Sequence, residues 1–272
     1  MFRKMLTLSF DDGTVQDKRF IELIDKYDLR ATFNINSGFF GQKHRIDHLG
    51  FNVCHDEIEK EEIAEVYRNH EIAVHTVSHP NLRMLEDDSE VIRQVRDDFE
   101  ALSAVSGKEI VGMAYPCGGA CYDDRVIRLI TENTPVRYAR TTDSHRTFAL
   151  PEDFMKWHPT CDQRDDRLME LAEEFINKEA EEDMLFYVWG HSYEFNNDNN
   201  WELIEEFCEK ASGMEDVYYA TNIEIYNYIM ALKSLVFGVG CEVVYNPSAI
   251  PVWFTADGKA VKVEPGQTLK LV

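Results

Sequence analysis

No stretch of the sequence approaches the roughly 18 consecutive apolar residues that a bilayer span requires, so a transmembrane helix is not expected. Basic residues are scarce: 28 Lys and Arg stand against 50 Asp and Glu among 272 residues, a formal net charge of −22. Long-range repulsion at that charge disfavours nucleic acid or an anionic membrane as partner. A disulfide framework is also lacking. Six cysteines are scattered at positions 54, 117, 121, 161, 208 and 241 of a chain large enough to fold without staples, so reduced thiols are expected. The step from Cys117 to Cys121 hints at a metal knuckle, but the other four cysteines form no partner pair. Repeats and low-complexity tracts are missing. The first five residues run straight into the apolar residues 6–10, with no secretory h-region, and a cytoplasmic location is expected.

Core material is plentiful. With 44% hydrophobic and 12% aromatic residues, disorder and collagen-like structure are excluded for the bulk of the chain. Strand-type runs at 5–10, 31–36, 71–75, 110–115, 136–141, 184–189 and 217–221 alternate with helical stripes at 18–27, 57–69, 89–106, 123–132, 168–181, 201–212 and 223–232. Repeated strand-then-helix units imply parallel strands with crossover helices. Seven to eight such units favour an α/β barrel, in which chemistry gathers at the C-terminal strand ends. Near residue 236 the pattern changes to short alternating runs around Asn246-Pro247, Asp257-Gly258 and Pro265-Gly266, which are hairpin signals. The expected organisation is a (β/α) barrel over 1–235 with a short all-β C-terminal appendage, 236–272, packed on it.

Four strand ends carry polar clusters. The first is Asp11-Asp12-Gly13, whose adjacent carboxylates point in opposite directions, so one can bind a metal while the other takes a proton; a plain acidic turn is the alternative. The second is His75-Thr76-Val77-Ser78-His79, where two imidazoles four residues apart converge on one cation if the backbone turns helically between them. A carboxylate with two imidazoles makes a facial triad with open positions, suited to zinc or another divalent ion. Ala114-Tyr115-Pro116-Cys117-Gly118-Gly119 forms a loop whose N–H groups can face a ligand, or an ordinary turn. Trp189-Gly190-His191-Ser192-Tyr193 supplies a candidate general acid near neutral pH, His191.

Taken in this order, the clusters resemble the motifs of the polysaccharide deacetylase family (carbohydrate esterase family four). Thr7-Leu8-Ser9-Phe10-Asp11-Asp12-Gly13 resembles the first motif and His75-Thr76-Val77-Ser78-His79 the second. The run through Pro116 and Gly118 resembles the third, Trp157 stands where the fourth would be, and Trp189-Gly190-His191 resembles the fifth. The likeness covers residues 5 to 232. It implies a distorted (β/α) barrel with one divalent metal held by Asp12, His75 and His79, to activate water and polarise an acyl carbonyl. It further implies Asp11 as catalytic base, His191 as general acid and the Cys117 N–H as an oxyanion donor. Zinc is the leading metal, with cobalt, nickel, manganese and iron also compatible.

The chain departs from the pattern where Ala114 replaces the motif-three Arg that braces the base, where Cys117 replaces an aromatic residue, and where Lys156 replaces an Asp before Trp157, although Asp153 matches the motif's other Asp. Arg140 or Arg146, near the end of another strand, is a candidate substitute brace. Trp157, Trp189, Tyr193 and Tyr115 are candidate aromatic faces for a sugar ring, with core packing the plain reading of Tyr115. The expected activity is removal of acetyl groups from N- or O-acetylated saccharides, de-N-acetylation preferred. A soluble oligosaccharide or smaller amide fits a cytoplasmic enzyme better than chitin or peptidoglycan. Hydrolysis of a non-sugar C–N bond, as in allantoinase-like relatives, and sugar binding without turnover are the competing readings. A homo-oligomer remains open, with the appendage as one candidate contact.

Overall fold

The computed structural model describes residues 3–48 and 51–271. The chain opens with strand β1 (Lys4–Asp12), helix α1 (Asp17–Lys26) and β2 (Ala31–Ile35), followed by a hairpin, β3 (Arg45–His48) and β4 (Phe51–Cys54). Short α2 (Ile63–Val66), β5 (Glu71–Val74), long α3 (Asp88–Ser106), β6 (Gly112–Ala114), α4 (Asp124–Asn133) and β7 (Tyr138–Arg140) come next. The barrel ends with β8 (Cys161–Asp162), α5 (Leu168–Asn177), β9 (Met184–Gly190), α6 (Ser192–Asn197), α7 (Trp201–Ala211), β10 (Val217–Tyr219) and α8 (Asn222–Lys233).

Eight parallel strands form one curled sheet in the order β7-β6-β5-β2-β1-β9-β8, with β10 also pairing β1. This is the distorted (β/α) barrel. Between β7 and β8 the ring is bridged by irregular chain: Trp157 N donates to Ala139 O at 3.0 Å, and Thr160 N donates to Tyr187 O on β9 at 2.8 Å. From Val236 onward the strands β11 (Val236–Phe237), β12 (Val243–Tyr245), β13 (Val252–Ala256), β14 (Lys259–Val263) and β15 (Thr268–Lys270) build two small antiparallel sheets. One of them meets α8 through Trp253 and the Tyr228 hydroxyl.

Period-two alternation along the strands sorts the two faces. Leu6, Leu8 and Phe10 of β1 join Phe33, Val74, Phe186 and Val188 in the core beneath the helices. The opposite parity on the same strands forms an inner layer of Met5, Tyr138, Leu185 and Tyr187. Thr7, Ser9, Asn34 and Glu71 lie among these, tied by hydrogen bonds through Thr7 Oγ1, Ser9 Oγ, Asn34 Nδ2 and the Glu71 carboxylate. Asp11 on β1, Arg140 on β7 and Trp189 on β9 continue that inner parity, which stacks them at the C-terminal end of the barrel.

Strand positions follow the sequence pattern to within a few residues; short β8 and α6 have no counterpart in it, and two further segments differ. The helix expected at 57–69 is reduced to α2 and a 3-10 turn, Lys60–Glu62. Its first residues are drawn into extended pairing, Glu57 N donating to Gln42 O at 2.9 Å and Ile58 N to Gly13 O at 3.0 Å. The β3–β4 hairpin has no counterpart in the sequence reading, because its runs are four residues long and rich in His, Asn and Asp. Among the described residues no helix is long and apolar enough to cross a membrane.

Candidate active site

Asp11 and Asp12 end β1, where the strand breaks its alternation: Asp12 and Gly13 both take positive φ, 80° and 77°. Asp11 therefore keeps the inward direction while Asp12 turns along the barrel mouth. Asp11 Oδ1 accepts from Asn34 Nδ2 at 2.8 Å, and Oδ2 pairs with the Arg140 guanidinium. Arg140 is fully buried and stacks 4.6 Å above the Trp189 ring. Arg146, the other candidate brace, lies at the surface on Asp165 and Asp166.

His75 and His79 flank Asp12. His75 Nε2 lies 3.7 Å and His79 Nε2 3.8 Å from Asp12 Oδ1. His75 Nδ1 is 2.9 Å from the Ala114 carbonyl, which can only accept, so the proton sits on Nδ1 and the Nε2 lone pair faces Asp12. The loop is tied at its base by buried Asp98, which accepts from His75 N at 3.0 Å. Thr76 and His79 adopt positive φ, and the Thr76 hydroxyl accepts from His79 N at 3.1 Å. Burial holds His75 down at about 4, hence neutral. Burial alone would raise Asp12, but His55, His191, His75 and His79 outweigh it and hold the carboxyl below the ordinary carboxylate range.

One ligand atom each from Asp12, His75 and His79 lies within 4.8 Å of the other two. Zinc bonded to such atoms at about 2.0–2.1 Å sets tetrahedral ligands about 3.4 Å apart, so the measured 3.7–3.8 Å needs a contraction of a few tenths of an ångström. The donor chemistry, the fixed tautomer and the spacing fit a divalent cation.

His191 follows β9 on the opposite side, its Nε2 4.0 Å from both Asp11 Oδ2 and Asp12 Oδ2. Its Nδ1 is 3.5 Å from Glu194 Oε1. Glu194 is itself held by Gln163 Nε2 at 2.7 Å and Arg164 at 2.7 Å. Burial works against the imidazolium, yet Glu194, Asp12 and Asp11 prevail and raise His191 to about 9. Sequence reasoning missed Glu194; its signal is an acid three residues after His191 at the start of a helix. Asp153, the expected motif-four acid, instead caps a 3-10 turn by accepting from Met155 N at 2.8 Å.

The Cys117 backbone, at φ 64°, points its N–H toward His79 Nε2 at 3.4 Å, beside the triad. Trp189 and Tyr193 are half-buried at the mouth, and the Tyr193 ring lies 5.2 Å from His191. Trp157 and Tyr115 require correction as sugar faces. Trp157 is wholly buried against Tyr138 and Tyr187, and Tyr115 is 1% exposed, stacked on Tyr122 with its hydroxyl on Met155 O.

A parallel barrel with an Asp–His–His donor set and a second carboxylate at its strand ends defines a class of hydrolase-like (β/α) proteins. The sequence profile of the polysaccharide deacetylase family matches residues 2–139, half of the chain, and the chain belongs to that family. A protein from Mycobacterium smegmatis described as a polysaccharide deacetylase shares 18% identity, covers 85% of this chain and 92% of its own, and superposes with a TM-score of 0.62. For the peptidoglycan deacetylase PdaC from Bacillus subtilis the values are 17%, 85%, 94% and 0.51. The Streptococcus pyogenes deacetylase PplD is 21% identical over 50% of this chain, with a TM-score of 0.41, and the chain spans 55% of that protein's length. At such identities the likeness to the Mycobacterium smegmatis and Bacillus subtilis proteins is one of fold. No curated protein matches the sequence.

Proposed function

We propose that the chain is a metal-dependent hydrolase that removes acetyl groups from acetylated saccharides, with amide-linked acetyl groups preferred. The observation that carries this reading is the convergence of Asp12, His75 and His79 beside a second, separately braced carboxylate, Asp11. A divalent cation held by the triad supplies a Lewis acid for water and for the acyl carbonyl.

The remaining work falls to the chain's own groups. Asp11, fixed by Arg140 and Asn34, accepts the proton of the attacking water. The Cys117 N–H, directed at His79 Nε2 here, would be released to donate toward the oxygen that gains charge when a cation takes that nitrogen. His191, steadied at Nδ1 by Glu194, gives a proton from Nε2 to the departing amine, so that water is consumed and acetate and a free amine are released. Trp189 and Tyr193 offer ring faces at the mouth.

Acetate release from N-acetylglucosamine oligomers by the zinc-loaded protein, abolished in His75→Ala, is the expected result. Release from none of a panel of N- and O-acetylated sugars would overturn the reading. Turnover of cyclic ureides or linear amides in the same panel would redirect it to a non-sugar C–N bond.

A further inference from the structure

The β3–β4 hairpin brings a second set of donors to the barrel mouth. The ladder of the hairpin continues past its named strands, with His55 N donating to His44 O at 3.0 Å and Glu57 N to Gln42 O at 2.9 Å. In such a ladder residues 55 and 57 share a face and residue 44 stands opposite 55. His44, His55 and Glu57 therefore project together, and one ligand atom from each lies within 4.8 Å of the other two. The chain after β4 docks on the chain after β1, Val15 N donating to Asp56 O at 2.9 Å, which sets the group next to Asp12.

His55 lies between the two donor sets. Its Nε2 is 3.5 Å from Asp12 Oδ2, the oxygen turned away from His75 and His79, and its Nδ1 is 3.2 Å from Glu57 Oε1. His55 Nδ1 and Glu57 Oε1 are both buried, Glu57 being 2% exposed, and among the described residues no third group hydrogen-bonds to either. A buried carboxylate oxygen and imidazole nitrogen so placed need a positive charge between them, either a proton on His55 or a metal ion. The separation of 3.2 Å is close to the 3.4 Å or so between tetrahedral ligands of zinc. Fixed cations do not meet the need: buried Arg140 is committed to Asp11, and Arg164 to Glu194 and Asp198.

We propose that His44, His55 and Glu57 form a second divalent-cation site, for zinc or a similar first-row ion, adjoining the Asp12–His75–His79 site through His55. Two imidazoles and a carboxylate leave further coordination positions open. A cation here needs no acyl chemistry, so the site stands or falls apart from the deacetylase reading.

The test is zinc titration of metal-stripped full-length protein, with bound metal counted after desalting. The wild-type chain is expected to retain two ions, and Glu57→Gln and His44→Ala one, the affinity of the lost site falling at least ~10-fold. His75→Ala is expected to lose the other ion and keep this one. His44 is half-buried on the hairpin, so His44→Ala keeps the test decisive if Glu57→Gln fails to fold. Cobalt in the second site should give ligand-field bands without thiolate charge transfer, which separates it from binding at cysteines. One ion in the wild-type chain would show that a proton serves His55 and Glu57 instead, and would overturn the proposal. Two ions retained by both Glu57→Gln and His44→Ala would overturn it equally.

Discussion

Arg140 and Asp11 stand 129 residues apart in sequence and form a buried ion pair across the top of the barrel, one from β7 and one from β1. Under the function proposed above, the pair would supply the bracing that the resemblance assigns to an Arg at position 114, where this chain has Ala114. Arg140→Met is expected to lower turnover by about 100-fold or more, because the base loses its fixed direction. It should also cost about 3–5 kcal/mol of stability by leaving a buried carboxylate without its partner. Arg146→Met, at the surface, should leave both unchanged. Steady-state kinetics beside chemical denaturation checks the contrast; unchanged turnover in Arg140→Met would remove the positioning role.

Glu194 holds the far side of His191, and Glu194→Gln removes a negative charge that favours the imidazolium. The His191 pKa should then fall from about 9, so the proton donor is lost at lower pH and the alkaline limb of the rate profile moves toward acid. A kcat–pH profile whose alkaline limb stays in place would assign that limb to another group.

The four aromatic candidates should separate into two kinds. Trp157→Ala is expected to destabilise the fold by about 3–5 kcal/mol, as for other fully buried large side chains. Tyr193→Ala should instead raise KM for N-acetylglucosamine oligomers several-fold and leave stability within about 1 kcal/mol. Unfolding curves and Michaelis constants for both variants decide the matter. A KM unmoved in Tyr193→Ala would take that ring out of substrate contact.

Glu71 lies deep in the inner layer, accepting from Tyr138 Oη at 2.6 Å, Thr32 Oγ1 at 2.7 Å and Ile223 N at 2.9 Å. Burial outweighs these donors and raises its carboxyl from 4.5 to about 7. The folded chain thus binds this proton more tightly than the unfolded chain. Its contribution to stability is full below pH 4.5, declines as pH rises to about 7 and is flat beyond. The loss is on the order of a few kcal/mol. Denaturation midpoints across that range should slope in the wild-type protein and slope less in Glu71→Gln.

The sequence made the barrel legible because its strands and helices are long enough to show their periods, and the triad legible because its parts fall at strand ends within a few residues. The exchange of Ala114 for Arg140 was visible only as a choice between two arginines. Strand parity decides it, since Arg140 follows Tyr138 by two and shares its inward face, whereas Arg146 lies beyond the strand. Glu194 was hidden because the short helix that carries it, Ser192–Asn197, shows no period of its own in the sequence. The hairpin donors were hidden more thoroughly. His44 and His55 meet only through a cross-strand pairing that four-residue, polar strands do not announce, and Glu57 sat in what read as the first turn of a helix.

Strand β1 is paired by β9 from Lys4 to Phe10 on one side, and on the other by β10 and then by β2, whose pairing reaches Asp11 and Asp12. Opening it means opening the whole sheet, so its amides should exchange with solvent only through global unfolding. The hairpin strands β3 and β4 pair with each other alone. Asp11 and Asp12 therefore end the most cooperative strand of the molecule, and the hairpin belongs to a less cooperative part. Sequence drift in the hairpin can reshape the chain beside Asp12 while the Asp11–Arg140 pair keeps its spacing.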